Sequence, residues 1–168
     1  MRVYLAGPDV FRPDALAWAA AARELLAAHG QQALIPLDGD EVTASGIYRA
    51  NLEMIGSADA VLANLNAFRG VEPDSGTCFE VGYAVARGKT VIGYLADGRV
   101  LKDKVGRDGQ TMLAADGLRV EDFDLPLNLM LAMSCCLVVG DLATAVDELA
   151  QRSALALPTS AANPPCRA

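Results

Sequence analysis

Two carboxylates six positions apart, Asp74 and Glu80, are the residues of this chain best placed to do chemistry. They lie in the stretch Asn64 to Tyr94, NLNAFRGVEPDSGTCFEVGYAVARGKTVIGY, which reads as an apolar strand, a turn-rich loop, a small-residue helix and a further strand. Asp74, followed by Ser75 and Gly76, stands where that helix needs a cap, and Glu80 follows on its opening turns. In a parallel α/β protein ligands bind at such strand-to-helix junctions, so a carboxylate there can act on a bound ligand. Gly76, Gly82 and Ala84 leave room around it, as a pocket requires. The same residues also admit a plainer reading, with Asp74 a cap alone and Glu80 a solvent-facing helical residue.

The elements that must position these groups follow from the apolar pattern. Arg2–Ala6 reads as a buried strand closed by the turn Gly7-Pro8-Asp9. Pro13 to His29 has helical spacing at Leu16, Trp18, Leu25 and Leu26, and Gly30 ends it. Ala33 to Pro36 is a second strand, Ile47 to Ser57 a helix burying Tyr48, Leu52 and Ile55, and Ala60 to Leu65 a third strand. The Glu80 helix stops near Gly88, and Thr90 to Leu95 is the fourth strand. Residues 96–124 form a long excursion expected to hold a short strand pair. Leu127 to Met133 is then helical, Cys135 to Val139 the fifth strand, and Leu142 to Arg152 the last helix. This alternation predicts one α/β domain over residues 1–152, a flavodoxin-like or Rossmann-like parallel five-stranded sheet with helices on both faces. Residues 153–168, rich in Ala, Pro and Ser, are expected to be a disordered tail.

In such a sheet the active end is where strands finish. That end collects Tyr4, Asp9, Asn64, Asn66, Asp74 and Glu80 into one expected crevice. Asp59 precedes the third strand, falls at the opposite end and reads as structural. Tyr4 could equally be a core aromatic with a satisfied hydroxyl.

Composition narrows the function classes. The 168 residues suit one domain with a sizeable core, 52% hydrophobic but only 5% aromatic, so Ala, Leu and Val must fill it. A formal charge of −7 gives no footprint for nucleic acid or anionic membrane. No apolar run reaches the roughly 18 residues that span a bilayer, no signal-peptide pattern appears, and the expected compartment is the cytoplasm. Cys78, Cys135, Cys136 and Cys166 lack zinc-ligand spacing and read as reduced, small hydrophobes. His29, the only histidine, sits at a helix end before Gly30, where histidine serves as a cap rather than a catalyst.

The segments YLAGPDVF (Tyr4 to Phe11), RANLEMI (Arg49 to Ile55), EPDSGTCFEVGYA (Glu72 to Ala84) and LPLNLML (Leu125 to Leu131) together resemble the nucleoside 2-deoxyribosyltransferases. The resemblance runs in order from Tyr4 to about Met133. It implies that Glu80 is the nucleophile that attacks the anomeric carbon of a deoxynucleoside, and that Tyr4 hydrogen-bonds and orients it. A carboxylate suits that task, because it can form a glycosyl ester through an oxocarbenium-like transition state that a second base resolves with retained configuration. The resemblance further implies that Asp74 binds the sugar 5′-hydroxyl and that Asn128, with Met130, completes the site from a neighbouring subunit. Partners are then deoxynucleosides and free nucleobases, in a homo-oligomer of the dimer or hexamer-of-dimers type, with no metal or organic cofactor needed.

One position departs from the family pattern. Asn51 stands where the family carries an aspartate proposed to protonate or bind the base, and an amide cannot be a general acid. Water or Asp9 is left to supply that proton, while Asp9 reads equally as a residue stabilising its turn. A carboxylate at Asp74 would repel a phosphate dianion and accept a bond from a hydroxyl, favouring nucleosides over nucleotides. The alternatives are an N-glycosidase that passes the sugar of a nucleoside or deoxynucleoside 5′-monophosphate to water, and an idle nucleoside-binding module. A third, the GTxxE pattern of cytokinin-activating phosphoribohydrolases at Gly76 to Glu80, lacks the preceding glycine pair.

Overall fold

Strand β1 (Arg2–Ala6) sends alternate side chains into two cores, and that alternation organises the molecule. Val3 and Leu5 pack with helices α1 (Ala15–Ala28) and α6 (Leu142–Leu155) on one face. Tyr4 and Ala6 pack with helices α2 (Ala44–Ser57) and α3 (Ser75–Ala86) on the other. The computed structural model describes residues 1–105 and 114–155. Among them, β1 joins β2 (Gln32–Leu34), β3 (Ala60–Asn64), β4 (Thr90–Leu95) and β5 (Cys136–Val139) in a parallel sheet ordered β2-β1-β3-β4-β5. The doubly wound architecture read from the sequence is the one observed. Burial on both faces explains why β3 and β4 are near-continuous apolar runs.

Because β1 and β3 are neighbours whose following helices leave to opposite faces, a crevice opens beyond their carboxyl ends. A short 3-10 turn, Pro8–Phe11, follows β1 at this end. At the other end the Asp59 carboxylate accepts the Arg2 backbone N–H at 2.7 Å, a structural role far from the crevice.

Several boundaries differ from expectation. Helix α1 starts at Ala15 and packs through Ala19, Ala22 and Leu26, leaving Leu16 76% exposed, because small alanines let the helix lie close to the sheet and turn Leu16 outward. Helix α2 starts at Ala44, where the Thr43 side chain caps it by accepting from Gly46 N–H at 3.1 Å. Tyr48 on α2 is exposed rather than buried, because it packs sideways on Phe79 of α3 with ring centroids 6.0 Å apart. The 96–124 excursion opens with a short helix, α4 (Leu101–Val105), and holds a single β-bridge residue at Arg119, while residues 106–113, on which the expected strand pair partly falls, lie outside the described residues. Helix α5 (Leu129–Ala132) is shorter than read, with Asn128 capping it. Helix α6 continues to Leu155, three residues past the expected domain end at 152, and the expected tail over 156–168 lies outside the described residues.

No described helix is long and apolar enough to cross a membrane. Cys78 and Cys135 are free thiols.

One tie connects the sheet to α2. The Lys89 ammonium, at the start of β4, donates to the carbonyls of Gly56 and Ala58 at 2.8 and 2.7 Å, at the negative end of α2. Replacing Lys89 by Met should lower unfolding stability by about 2 kcal/mol. A denaturant midpoint that falls with an unchanged slope is the expected result, and an unmoved midpoint would remove this tie from the account.

Candidate active site

The site is built outward from Tyr4. The pleat of β1 turns this residue toward α2 and α3, where the ring is fully buried. Its hydroxyl donates to Glu80 Oε1 at 2.6 Å, a short bond from β1 to α3. The Asn51 amide on α2 donates to the same oxygen at 3.4 Å. Oε2 of Glu80 takes no bond among the described residues, so the carboxylate is held by one oxygen and open at the other.

Asp74 anchors the start of α3. Its Oδ2 accepts the Thr77 backbone N–H at 2.9 Å and the Thr77 hydroxyl at 3.0 Å, a cap doubled by a side chain. A methyl group at Gly76 would stand 3.0 Å from that oxygen, so glycine keeps the turn clear. Oδ1 of Asp74 has no partner among the described residues. The cap and the free acceptor are therefore two properties of one carboxylate.

These placements set the protonation states. Burial is the largest influence on Glu80 and pushes its carboxyl above the ordinary value, Asp74's charge adds to the rise, and the bonds from Tyr4 and Asn51 oppose it. The Tyr4 phenol is pushed well up, first by burial and then by the Glu80 charge and hydrogen bond. Tyr4 therefore keeps its proton at neutral pH and is the donor in its bond to Glu80. Among the described residues no group of three or more His, Cys, Asp or Glu could hold a metal ion.

The remaining residues divide by face. Asp9 is 7% exposed and accepts from Asn64 Nδ2 at 2.7 Å, while Asn64 Oδ1 accepts from the Asn66 backbone and amide at 3.1 and 2.7 Å. Asn66 in turn accepts the Ala96 N–H at 2.9 Å. This chain laces the loops after β1, β3 and β4, and none of its bonds reaches Glu80. Hydrogen bonds thus gather the residues of the expected crevice into two groupings, Tyr4, Asn51 and Glu80 in one, with the Asp74 charge beside it, and Asp9, Asn64 and Asn66 in the other.

Asn128 makes no hydrogen bond to Glu80 among the described residues. Its Oδ1 accepts Met130 N–H at 3.0 Å, and its Nδ2 donates to Glu121 at 2.6 Å. Met130 points away, 72% exposed. Glu121 also accepts the Leu129 N–H at 2.9 Å and so fixes this turn, a role no pattern around it revealed. A second feature the sequence reading passed over is an aromatic cluster at the same end of the sheet. Phe11 stacks on Phe68 at 5.6 Å and the Arg69 guanidinium lies 4.6 Å from the Phe68 ring, signalled only by large apolar residues in turn-rich loops.

Residues 3–130 match the family described as nucleoside 2-deoxyribosyltransferase. The 2-deoxyribosyltransferase from Leishmania mexicana is similar in structure, with a TM-score of 0.80 and 38% identity over 89% of this chain and 97% of that one. A 2-deoxyribosyltransferase from Bacillus psychrosaccharolyticus shares the fold, with a TM-score of 0.57 and 20% identity over 88% of this chain and 91% of that one. An uncharacterized protein of Schizosaccharomyces pombe is 34% identical over 113 residues, 61% of this chain. The match spans about half, 54%, of that yeast protein's length.

The raised carboxyl of Glu80 has a thermodynamic consequence. The folded protein binds that proton more tightly than the unfolded chain, so the ionised carboxylate lowers stability once the pH exceeds the unfolded value of about 4.3. Glu80→Gln is neutral at every pH and keeps an acceptor for Tyr4. It should unfold at a higher temperature than wild type at pH 7, and the advantage should vanish as the pH falls below about 4.3. A glutamine variant less stable at pH 7, or a gap indifferent to pH, would contradict the assignment of burial as the dominant influence.

Proposed function

The chain belongs to the nucleoside 2-deoxyribosyltransferase family, and we propose that it moves 2-deoxyribose between nucleobases through a covalent ester on Glu80. The observation that carries this reading is the Glu80 carboxylate held at Oε1 by Tyr4 and open at Oε2. In the first step Oε2 bonds to the anomeric carbon while the bond from that carbon to the base nitrogen breaks, and the base leaves with the electron pair and takes up a proton. In the second step a ring nitrogen of another base attacks the same carbon, the ester oxygen departs as the Glu80 carboxylate, and the incoming base loses a proton. Two inversions give net retention.

The neighbouring groups take roles that fit their free valences. Tyr4 fixes the carboxylate's orientation and, as a neutral donor, leaves its charge in place. The free Oδ1 of Asp74 accepts the 5′-hydroxyl and disfavours a 5′-phosphate. Asn51 holds the nucleophile and can hydrogen-bond the base but cannot protonate it. Asp9 is engaged by Asn64, which leaves water as the proton source for the departing base. Asn128 and Met130 serve the site of a neighbouring copy, in a homo-oligomer that acts in cytoplasmic nucleoside salvage. Met130's exposure supports that assignment.

The assay is incubation with a deoxynucleoside and a different free base, with product measured with and without the acceptor. A new deoxynucleoside is expected from wild type, and Glu80→Ala should lower its rate by about 10⁴-fold. Equal product from both proteins would sink the nucleophile assignment, whereas free deoxyribose regardless of acceptor would make the enzyme a hydrolase.

Tyr4→Phe should lower kcat by about 10- to 100-fold, the worth of a hydrogen bond to a charged group. Because that bond opposes the rise in the Glu80 pKa, the acid limb of the kcat/KM profile should also move to higher pH. A loss of rate with an unmoved limb would mean that Tyr4 acts only through packing.

A further inference from the structure

A cavity of about 410 Å³ lies on the face of the sheet opposite Glu80, between α1 and the turn that enters α6. It occupies the other half of the crevice between β1 and β3, where chains of this topology admit ligands. Its size is within the range of small-molecule sites, about 300–1,000 Å³. Nothing in the catalytic reading uses it.

The cavity contains a group that the fold leaves unanswered. Tyr94 on β4 lines it and is 5% exposed, yet its hydroxyl has no hydrogen-bond partner among the described residues. The hydroxyl is not among the buried unsatisfied atoms and so opens onto the cavity, where a ligand can answer it, whereas phenylalanine would pack equally well on the same core. Tyr4, the other buried tyrosine, shows what a satisfied hydroxyl looks like in this protein. Burial, with Asp9 and Asp141 nearby, pushes the Tyr94 phenol up, so it is a donor awaiting an acceptor.

The rest of the lining defines what would fit. Trp18 and Leu25 of α1 offer an apolar wall to a flat ring. Asp141 spends Oδ1 on the Thr144 N–H and hydroxyl, at 3.0 and 3.1 Å, and its Oδ2 is open to a donor. Arg12, the one cation in the lining, is paired with Asp14 through two bonds of 2.9 Å and lies 3.9 Å from Asp9. Asp9 and Asp141 in the lining, with the one cation already paired to carboxylates, disfavour phosphate. They favour a neutral ring carrying N–H donors at its edge and an acceptor for the phenol.

We propose that this cavity is a second ligand site for a neutral nitrogen heterocycle of nucleobase type, bound through the Tyr94 hydroxyl and Asp141 against Trp18. The site rests on this lining and does not depend on the catalytic reading of Glu80. Two sources share the chemistry, the free base and the nucleoside that carries it, and they are distinguished by testing both.

Trp18 is the only tryptophan in the chain, so its fluorescence reports this face alone. Adenine and cytosine, each as free base and as deoxynucleoside, are titrated into the Glu80→Ala protein so that turnover does not intervene. Saturable change in Trp18 emission is expected with at least one of the four. Response to the base alone assigns the site to free bases, and response to both forms assigns it to the base moiety. Tyr94→Phe should weaken this binding by about 3- to 10-fold, the range for one neutral hydrogen bond, without lowering the unfolding temperature. Ala21→Leu, at an exposed lining position, should abolish the response by filling the cavity. Emission that ignores all four compounds, or saturates identically in both variants, would overturn the site. A failed transfer assay with intact Trp18 binding would count against the Glu80 chemistry and leave this inference standing.

Discussion

A single hydrogen bond, from the Tyr4 hydroxyl to one oxygen of Glu80, is the constraint on which the active-site face depends. It joins β1 to the helix that follows β3, and it stands against the penalty of placing a carboxylate where water is scarce. Burial raises the Glu80 carboxyl while Tyr4 and Asn51 pull it down. A carboxylate in that balance has weak hydration and one fixed oxygen, two properties that favour attack by the other. The same balance makes the residue unfavourable for the fold at neutral pH, the usual tension between stability and a working site.

The architecture supplies what this bond needs. The pleat of β1 points Tyr4 to one face only, and a shift of one residue in register would turn it to the other. Asp74 and Thr77 fix where α3 begins, which sets the turn on which Glu80 falls. Lys89 holds the end of α2, the helix that carries Asn51. The opposite face of the crevice is organised by a different lace of side chains, Asp9, Asn64 and Asn66, and it encloses a cavity of its own. One switch point thus offers two sites, one with a free carboxylate oxygen and one with a free phenol.

Much of this was legible in the chain itself. The five strands fell near their observed places because each is an apolar run bounded by turn residues, and β1 and β4 were read to the residue. The Asp74 cap and the approach of Tyr4 to α3 followed from strand ends and helix starts. Less visible was anything set by tertiary distance. Leu16 and Tyr48 are apolar at helical spacing, yet alanine-mediated close packing and a sideways aromatic contact leave them exposed. Asp9 shares the active end with Glu80, but its hydrogen bond goes to Asn64, and sequence position alone cannot tell which neighbour a loop carboxylate will bond. Glu121, seven residues before Asn128, is brought to it by a loop with no period to read.

The most direct test of the central claim is intact and peptide mass spectrometry of the protein mixed with a 2′-fluoro-2′-deoxynucleoside. Fluorine beside the anomeric carbon destabilises the oxocarbenium-like state and slows release of the sugar, so an ester intermediate should accumulate. The account predicts a mass increase of one fluorinated sugar located on Glu80 and absent from Glu80→Ala. An unmodified protein that still releases base, or an adduct on any other residue, would contradict it.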